Sequence, residues 1–256
     1  MIARFPRRAF TLLELMVVIT IIVILIAILV PTLERAMASA YKAQCLANLK
    51  AFSVGYKHYS LDNRGGSMNI PGGSRSYWNY ALAPYMGFTG YGKGAQTGAD
   101  KFMLCPETSV AYSGGFAPSA HGTWDWDTAQ GSYGLNLFFM DYHSYNPGLG
   151  ISGSLWYLKY DAAPGGAPLI GDSNWIGGWP DTNDADPGQY NGTPPDSGGW
   201  GVMIARWCLD RHGGYTMNMG FVDGSARNLI LGELWALPWH QYCTNQGYRQ
   251  GVWDKR

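Results

Sequence analysis

The stretch RRAFTLLELMVVITIIVILIAILVP, from Arg7 to Pro31, decides the architecture of this chain. Between Phe10 and Val30 only Thr11, Glu14 and Thr20 are not apolar. As a helix rising ~1.5 Å per residue, the run is long enough to cross a hydrocarbon core of ~30 Å. Arg4, Arg7 and Arg8 precede it and no comparable basic cluster follows at once, so the positive-inside rule puts the first residues in the cytoplasm and everything after Pro31 outside. A secretory signal would have an apolar core of only ~7–15 residues, a small-x-small cleavage site behind it and no carboxylate within it. Here the run is longer, Val30-Pro31-Thr32 is a poor cleavage site, and Glu14 interrupts the apolar stretch.

Glu14 is the informative exception. An ionised carboxylate at bilayer depth is costly unless it faces a partner, and no Lys, Arg or His occupies the span. A free α-amino group made by cutting just before Phe10 would supply the nearest cation, with a neighbouring copy of the same helix as its natural donor. A lone acid near the start of an otherwise apolar helix therefore predicts self-assembly.

The residues Arg7-Arg8-Ala9-Phe10-Thr11-Leu12-Leu13-Glu14-Leu15 resemble the cleavage and methylation signature of type IV prepilins and type II secretion pseudopilins. The resemblance implies a basic leader, residues 1–9, that ends at Ala9 and is removed by a prepilin peptidase. It makes Phe10 the N-methylated terminus and Glu14 the residue that pairs with an adjacent subunit. Ala9 stands where the family usually has Gly and, like Gly, is small enough to leave the peptide bond accessible. Pro31 falls where pilins often carry a helix-disrupting proline, and it removes one backbone donor there. The implied partners are other pilin-like subunits, the peptidase, an inner-membrane assembly platform and membrane lipid. The implied location is the inner membrane, single-pass, with the N-terminus cytoplasmic and the head periplasmic or, after assembly, at the cell surface.

Beyond Pro31 the chain is free of Gly until Gly55, and Leu33, Met37, Tyr41, Leu46, Leu49, Phe52, Tyr56 and Tyr59 recur at helical spacing. The pattern predicts one long helix, a membrane and assembly half over residues 10–31 and an amphipathic half over 32–62, ended by Asn63-Arg64-Gly65-Gly66. Residues 63–256 change to Gly, Pro, Ser and aromatics with short apolar runs, the pattern of short strands joined by long loops. Strands are predicted over Ser132 to Leu137, Ala167 to Ile170, Tyr215 to Val222 and Ser225 to Ile230. Asp223-Gly224 marks a two-residue hairpin turn with both central residues at positive φ. The expected fold is α+β and pilin-like, an antiparallel sheet packed against the helix. Asn174 to Trp200 reads as an irregular surface loop.

A second resemblance lies near the C-terminus. Arg211-His212-Gly213-Gly214-Tyr215 through Phe221-Val222-Asp223-Gly224 is similar to a prepilin-associated module named for a His, nine residues and Asp-Gly. Ten residues separate His212 from Asp223 here, an extra one that a β-bulge or a shifted turn can absorb. Cys45-Leu46-Ala47-Asn48-Leu49, Cys105-Pro106 and Ser132-Tyr133-Gly134-Leu135-Asn136 support it.

Cys45, Cys105, Cys208 and Cys243 all fall outside the predicted span, where disulfides form. Three pairings are open; Cys45 to Cys105 would tie helix to head, and Cys208 to Cys243 would tether the tail. No CxxC occurs, which ranks zinc below crosslinks. Asp181, Asp184 and Asp186 suggest a calcium loop, although the EF-hand order and its terminal Glu are missing. No cofactor is otherwise required.

No GxSxG elbow, HExxH, Walker loop or strand-linked GxGxxG is present, so the chain reads as structural and not as an enzyme. Asp125 and Asp127, between and beside Trp124 and Trp126, read as solvated acids in a turn. With 18 basic against 18 acidic residues the net charge is zero, which argues against a nucleic-acid partner. The function expected is a cleaved, methylated subunit of a type II secretion pseudopilus or type IV pilus-like filament. The alternative is an uncleaved, membrane-anchored periplasmic hydrolase or glycan-binding domain that would use exposed Trp124, Trp126, Trp175, Trp179 and Trp200.

Overall fold

The computed structural model describes residues 10–69, 78–88, 102–108, 115, 117, 119–126, 129–141, 153–181, 183–188, 190, 203–207 and 209–243. The leader residue Ala9, Cys208, Asp127 and Trp200 lie outside them. Two compact units divide the chain, with the boundary between Ala40 and Tyr41.

The described part of the first unit is helical from Leu12 on. Helix α1 (Leu12–Asp62) begins in it and passes without interruption through Pro31. The break expected at Pro31 is therefore absent: proline deletes one N–H of the i to i−4 ladder, and the bonds on either side continue. Thr32 Oγ1 donates to the Leu29 carbonyl at 2.7 Å, a local side-chain bond beside the gap. The side chains from Leu12 to Val30 are exposed along the whole run, and the helix is apolar enough over its best window to cross a bilayer.

The second unit starts with the remainder of α1. Its buried face comprises Cys45, Asn48, Leu49, Phe52, Ser53, Gly55, Tyr56, Tyr59 and Ser60, at the three- and four-residue intervals that keep side chains on one face. The helix ends where the sequence indicated. Arg64 and Gly65 take positive φ, and Gly65 N–H donates to the Ser60 carbonyl at 2.8 Å, which satisfies a terminal acceptor.

Downstream lie the short helix α2 (Trp78–Leu82) and strands β1 (Trp124–Trp126), β2 (Ala129–Gly131), β3 (Tyr133–Asn136), β4 (Pro168–Asp172), β5 (Gly177–Gly178), β6 (Thr216–Phe221) and β7 (Ala226–Ile230). β1 and β2 form a small hairpin, so Asp125 sits on a strand and is buried instead of solvated in a turn. The main sheet has the order β5-β3-β4-β6-β7. As expected the sheet is antiparallel in its main pairs, and the one parallel pair, β3 with β5 at the edge, makes it mixed. After β4 the chain turns at Ser173 and runs along the far edge of β3, where Leu135 N–H donates to the Ile176 carbonyl. Part of the stretch read as a surface loop is thus interior: Asn174, Trp175, Ile176 and Trp179 are buried.

Period-two alternation along β6 sorts the two faces of the sheet. Met217, Met219 and Phe221 enter a core with Ile204, Trp207, Leu229, Leu234, Trp235 and Trp239. Asn218 and Gly220 face α1 instead, Asn218 donating to the Lys42 carbonyl. A Cβ at Gly220 would lie 2.9 Å from the Leu49 carbonyl and meet Ser53 as well, so the absence of a side chain sets how closely helix and sheet approach. Buried indoles are anchored by their N–H groups: Trp78 to the Ile176 carbonyl, Trp124 to that of Tyr133 and Trp239 to that of Leu234.

The β6–β7 hairpin forms, with a different turn from the one expected. Gly224 N–H donates to the Phe221 carbonyl and Phe221 N–H to that of Ser225, and Gly224 alone of the Asp-Gly pair has positive φ. This is the three-residue loop with a glycine bulge, which needs one left-handed residue where a two-residue turn needs two.

Candidate functional site

At the start of α1, Thr11 and Glu14 form a reciprocal cap. Glu14 Oε2 accepts from Thr11 N–H at 2.9 Å and from Thr11 Oγ1 at 2.8 Å, and Glu14 N–H donates to Thr11 Oγ1 at 3.2 Å. Ser or Thr followed three residues later by Glu satisfies orphan donors of a helix N-terminus in this way. The carboxylate therefore has an intrachain role that the sequence reading, looking for cations, did not assign. Both accepted bonds fall on Oε2. Phe10, one residue before the cap, is 70% exposed.

A second site lies where α1 meets the sheet, and it is polar and fully buried. Asp172, the last residue of β4, is at its centre. Its Oδ1 accepts from Arg211 Nη1 at 3.1 Å and from Cys45 Sγ at 3.4 Å; its Oδ2 accepts from Asn218 N–H at 2.8 Å and lies 3.0 Å from His212 Nε2. Cys105 Sγ is 3.7 Å from the same imidazole nitrogen. Cys45 comes from α1; Cys105 heads a turn closed by Thr108 N–H on the Cys105 carbonyl; Arg211 and His212 lie in the loop before β6. Arg211 is fixed from the other side by the carbonyls of Ala120, Ser132 and Ser173.

The electrostatics follow from burial opposed by pairing. Burial alone would raise the Asp172 carboxyl, but the charge and hydrogen bond of His212, the Arg211 guanidinium and the Asn218 amide hold it down to about 2. Burial would lower His212, whereas Asp172 and then Cys105 push it up to about 10. Burial would raise Cys105, yet hydrogen bonding from Cys45 and His212 and the nearby Arg211 bring it to about 6. Burial pushes the Cys45 thiol well up. Cys45, Cys105, Asp172 and His212 each present a ligand atom within 4.8 Å of the others.

The other predicted residues are distributed differently. Cys45 and Cys105 are free thiols. The pairing of Cys45 with Cys105 is corrected accordingly: the two sulfurs do meet between helix and head, unbonded and shared with Asp172 and His212. The Cys208 to Cys243 pairing involves a residue outside those described. His212 and Asp223 lie at opposite ends of β6, so their spacing measures a strand and does not define one site. Asp223 Oδ1 accepts from Ser225 N–H within the hairpin turn.

The Asp loop is tied up locally. Asp181 accepts from Asn183 and lies 2.9 Å from His240 Nε2; Asp184 accepts from the Asp181 and Ile204 amides; Asp186 accepts from Gly188 N–H and the Tyr190 hydroxyl. Among the described residues these three carboxylates do not converge, and the Cys45 cluster alone brings together three or more metal-ligating side chains. Trp124, Trp175 and Trp179 are buried and not exposed as a sugar platform requires.

Asp172 and Arg211 escaped the sequence reading as site residues. The available signal was an acid at the end of the apolar run Pro168-Leu169-Ile170-Gly171, a strand with every position buried. An acid there must find a buried partner.

Residues 4–30 match the family model of the prokaryotic N-terminal methylation motif, the signature of type IV prepilins. The match does not extend to the pattern from His212 to Gly224. No curated protein and no solved structure matches the chain. The chain thus combines a prepilin-type N-terminus with a long helix packed on a mixed β-sheet, the α+β arrangement of pilin-like proteins.

Proposed function

We propose that this chain is a structural subunit of a type II secretion pseudopilus or type IV pilus-like filament, processed between Ala9 and Phe10 and methylated on the Phe10 amine. The observation that carries the reading is an apolar helical run, exposed from Leu12 to Val30 and interrupted by one carboxylate, inside the matched methylation motif. Before assembly the run is covered by lipid; afterwards the same run of neighbouring subunits replaces lipid. Because the Thr11 cap uses Oε2, Oε1 of Glu14 is left to accept from the terminal amine of an adjacent subunit. That charge-assisted contact sets register while apolar packing supplies area. The N-terminus then starts in the cytoplasm and the head is periplasmic, with the prepilin peptidase and an inner-membrane assembly platform as partners. The chain is acted on by the peptidase and catalyses no step itself.

N-terminal mass analysis of the protein from its native membrane tests the reading. A terminus at N-methylated Phe10 is expected; an intact Met1 overturns processing and leaves a simple anchor. The glycan-binding alternative loses its basis where Trp175 and Trp179 serve the core.

A further inference from the structure

The buried cluster between α1 and the sheet holds more ligating chemistry than packing needs. Two cysteines, an aspartate and a histidine from four separate segments converge, although Cys45 and Asp172 are 127 residues apart and Cys105 and His212 are 107 apart. We propose that Cys45 Sγ, Cys105 Sγ, Asp172 and His212 Nε2 bind one zinc ion, which fastens the extramembrane half of α1 to the head.

The geometry fits without rearrangement of the backbone. Zinc bonded at ~2.0–2.3 Å to tetrahedral N, O and S donors sets donor-to-donor edges of roughly 3.3–3.8 Å. Cys45 Sγ to Asp172 Oδ1 at 3.4 Å and Cys105 Sγ to His212 Nε2 at 3.7 Å fall in that range, and His212 Nε2 to Asp172 Oδ2 at 3.0 Å is short of it by an amount that a side-chain torsion supplies as one carboxylate oxygen turns to the ion. Thiolate and imidazole together in a four-donor set suit zinc, whereas calcium and magnesium require oxygen shells.

Around His212 Nε2 the electron-rich Asp172 Oδ2 and Cys105 Sγ both crowd one ring nitrogen, and Asn218 Nδ2 lies 2.9 Å from the same atom. A single proton on Nε2 can serve only one acceptor; a divalent cation serves the imidazole, the carboxylate and both sulfurs at once. Among the described residues His212 Nδ1 is buried with no hydrogen-bond partner, so the polar contacts that orient the ring are those at Nε2.

Charge also balances. The two positive charges of zinc and the Arg211 guanidinium, itself buried against Asp172, offset two thiolates and one carboxylate. Arg211 and the Asn218 amide then act as the outer partners that orient the ligating carboxylate. With Cys45, Cys105, Asp172 and the His212 side chain at 0–1% exposure and four protein donors, no open coordination position remains. That is the form of a structural zinc site and not a catalytic one.

The test uses the full chain, solubilised in detergent and purified without chelator. Elemental analysis is expected to give one zinc per chain. After zinc is removed, added Co²⁺ should produce thiolate-to-cobalt charge-transfer absorption and the intense visible bands of tetrahedral cobalt. Cys45→Ser and Cys105→Ser should each remove about half of the charge-transfer intensity, in keeping with one sulfur apiece. Chelation should lower Tm, with recovery on adding Zn²⁺ but not Ca²⁺. A chain that carries no zinc and gives no cobalt spectrum overturns the proposal, as does a Cys45 to Cys105 disulfide in protein from the native membrane. The wild-type cobalt spectrum decides the matter even if both variants fail to fold. Processing at Phe10 is read separately by N-terminal mass, so failure of the zinc site leaves the filament reading standing.

Discussion

The two halves of α1 have opposite relations to water. From Leu12 to Val30 the helix exposes Leu, Ile and Val on every side, and its single acid caps its own first turn. From Tyr41 to Asp62 its hidden face includes Cys45, Asn48, Ser53 and Ser60 beside Leu49, Phe52, Tyr56 and Tyr59. An exposed apolar surface that wraps the whole helix finds its solvent outside the chain, in lipid or other helices. A buried face with small and polar groups fits one specific surface in the same chain: Cys45 donates to Asp172 and Asn48 to the Phe102 carbonyl, and Ser53 faces Gly220, where a larger pair would not fit. One half presents a generic apolar surface; the other is particular to this head.

The strongest way to break that contrast is Glu14→Gln. Loss of the charge should reduce filament yield to background, scored by electron microscopy and by the sheared fraction, while the melting of the head is unchanged. Filaments at wild-type yield would show that the apolar half assembles without its acid.

On the other side, Asp172→Asn should leave head stability about 3–5 kcal/mol lower by removing the partner of a buried arginine. Thermal and denaturant melts would read it. Acid does part of the same thing reversibly in the zinc-free chain. Asp172 is at about 2 when folded, below the ordinary ~3.9 when unfolded. Its contribution is therefore complete above about pH 4 and declines as pH falls toward 2, by roughly 2–3 kcal/mol. Between about pH 6 and 9 two effects oppose each other. His212, raised to about 10, loses stabilisation as pH rises, while Cys105, lowered to about 6, gains it. A melt series should accordingly show a clear acid edge and a flat neutral range; a steep slope near pH 7 would contradict the pairing.

Gly220→Ala probes the fit of helix to sheet. The new methyl meets the Leu49 carbonyl and Ser53 and should lower stability by about 1–3 kcal/mol, visible as a reduced Tm. An unchanged melt would mean that α1 can ride up on the sheet freely. The smallest effect belongs to the membrane half. Thr11→Ala deletes the hydroxyl that joins Glu14 in the cap and should cost about 1 kcal/mol of first-turn stability. Faster amide exchange at the start of α1 in detergent would register it, with no change in the head.

Much of the skeleton was legible one residue at a time. The apolar run, the helical stripe after it and the stop at Asn63 to Gly66 depend on local composition and spacing, and they mark α1. The predicted strands Ser132 to Leu137, Ala167 to Ile170, Tyr215 to Val222 and Ser225 to Ile230 overlap β3, β4, β6 and β7. β5 was not legible: Gly177-Gly178 has no side chains to alternate, and it pairs only because β3 offers a free edge. Nor was the crowding of Cys45, Cys105, Asp172 and His212. Motif spacing such as CxxC reports neighbours in sequence, and these donors come from a helix, a turn, a strand end and a loop.

By itself the sequence determined that the chain has a span, where the span carries its acid and which residues form the prepilin-type start, because hydropathy and charge act locally along a helix. The tertiary structure alone decided that Asp172 sits beneath two sulfurs, an imidazole and a guanidinium, that Trp124, Trp175 and Trp179 face inward and that Pro31 leaves the helix intact. Those outcomes depend on which distant backbone segments are brought within a few ångströms, and on whether neighbouring hydrogen bonds can absorb a local loss.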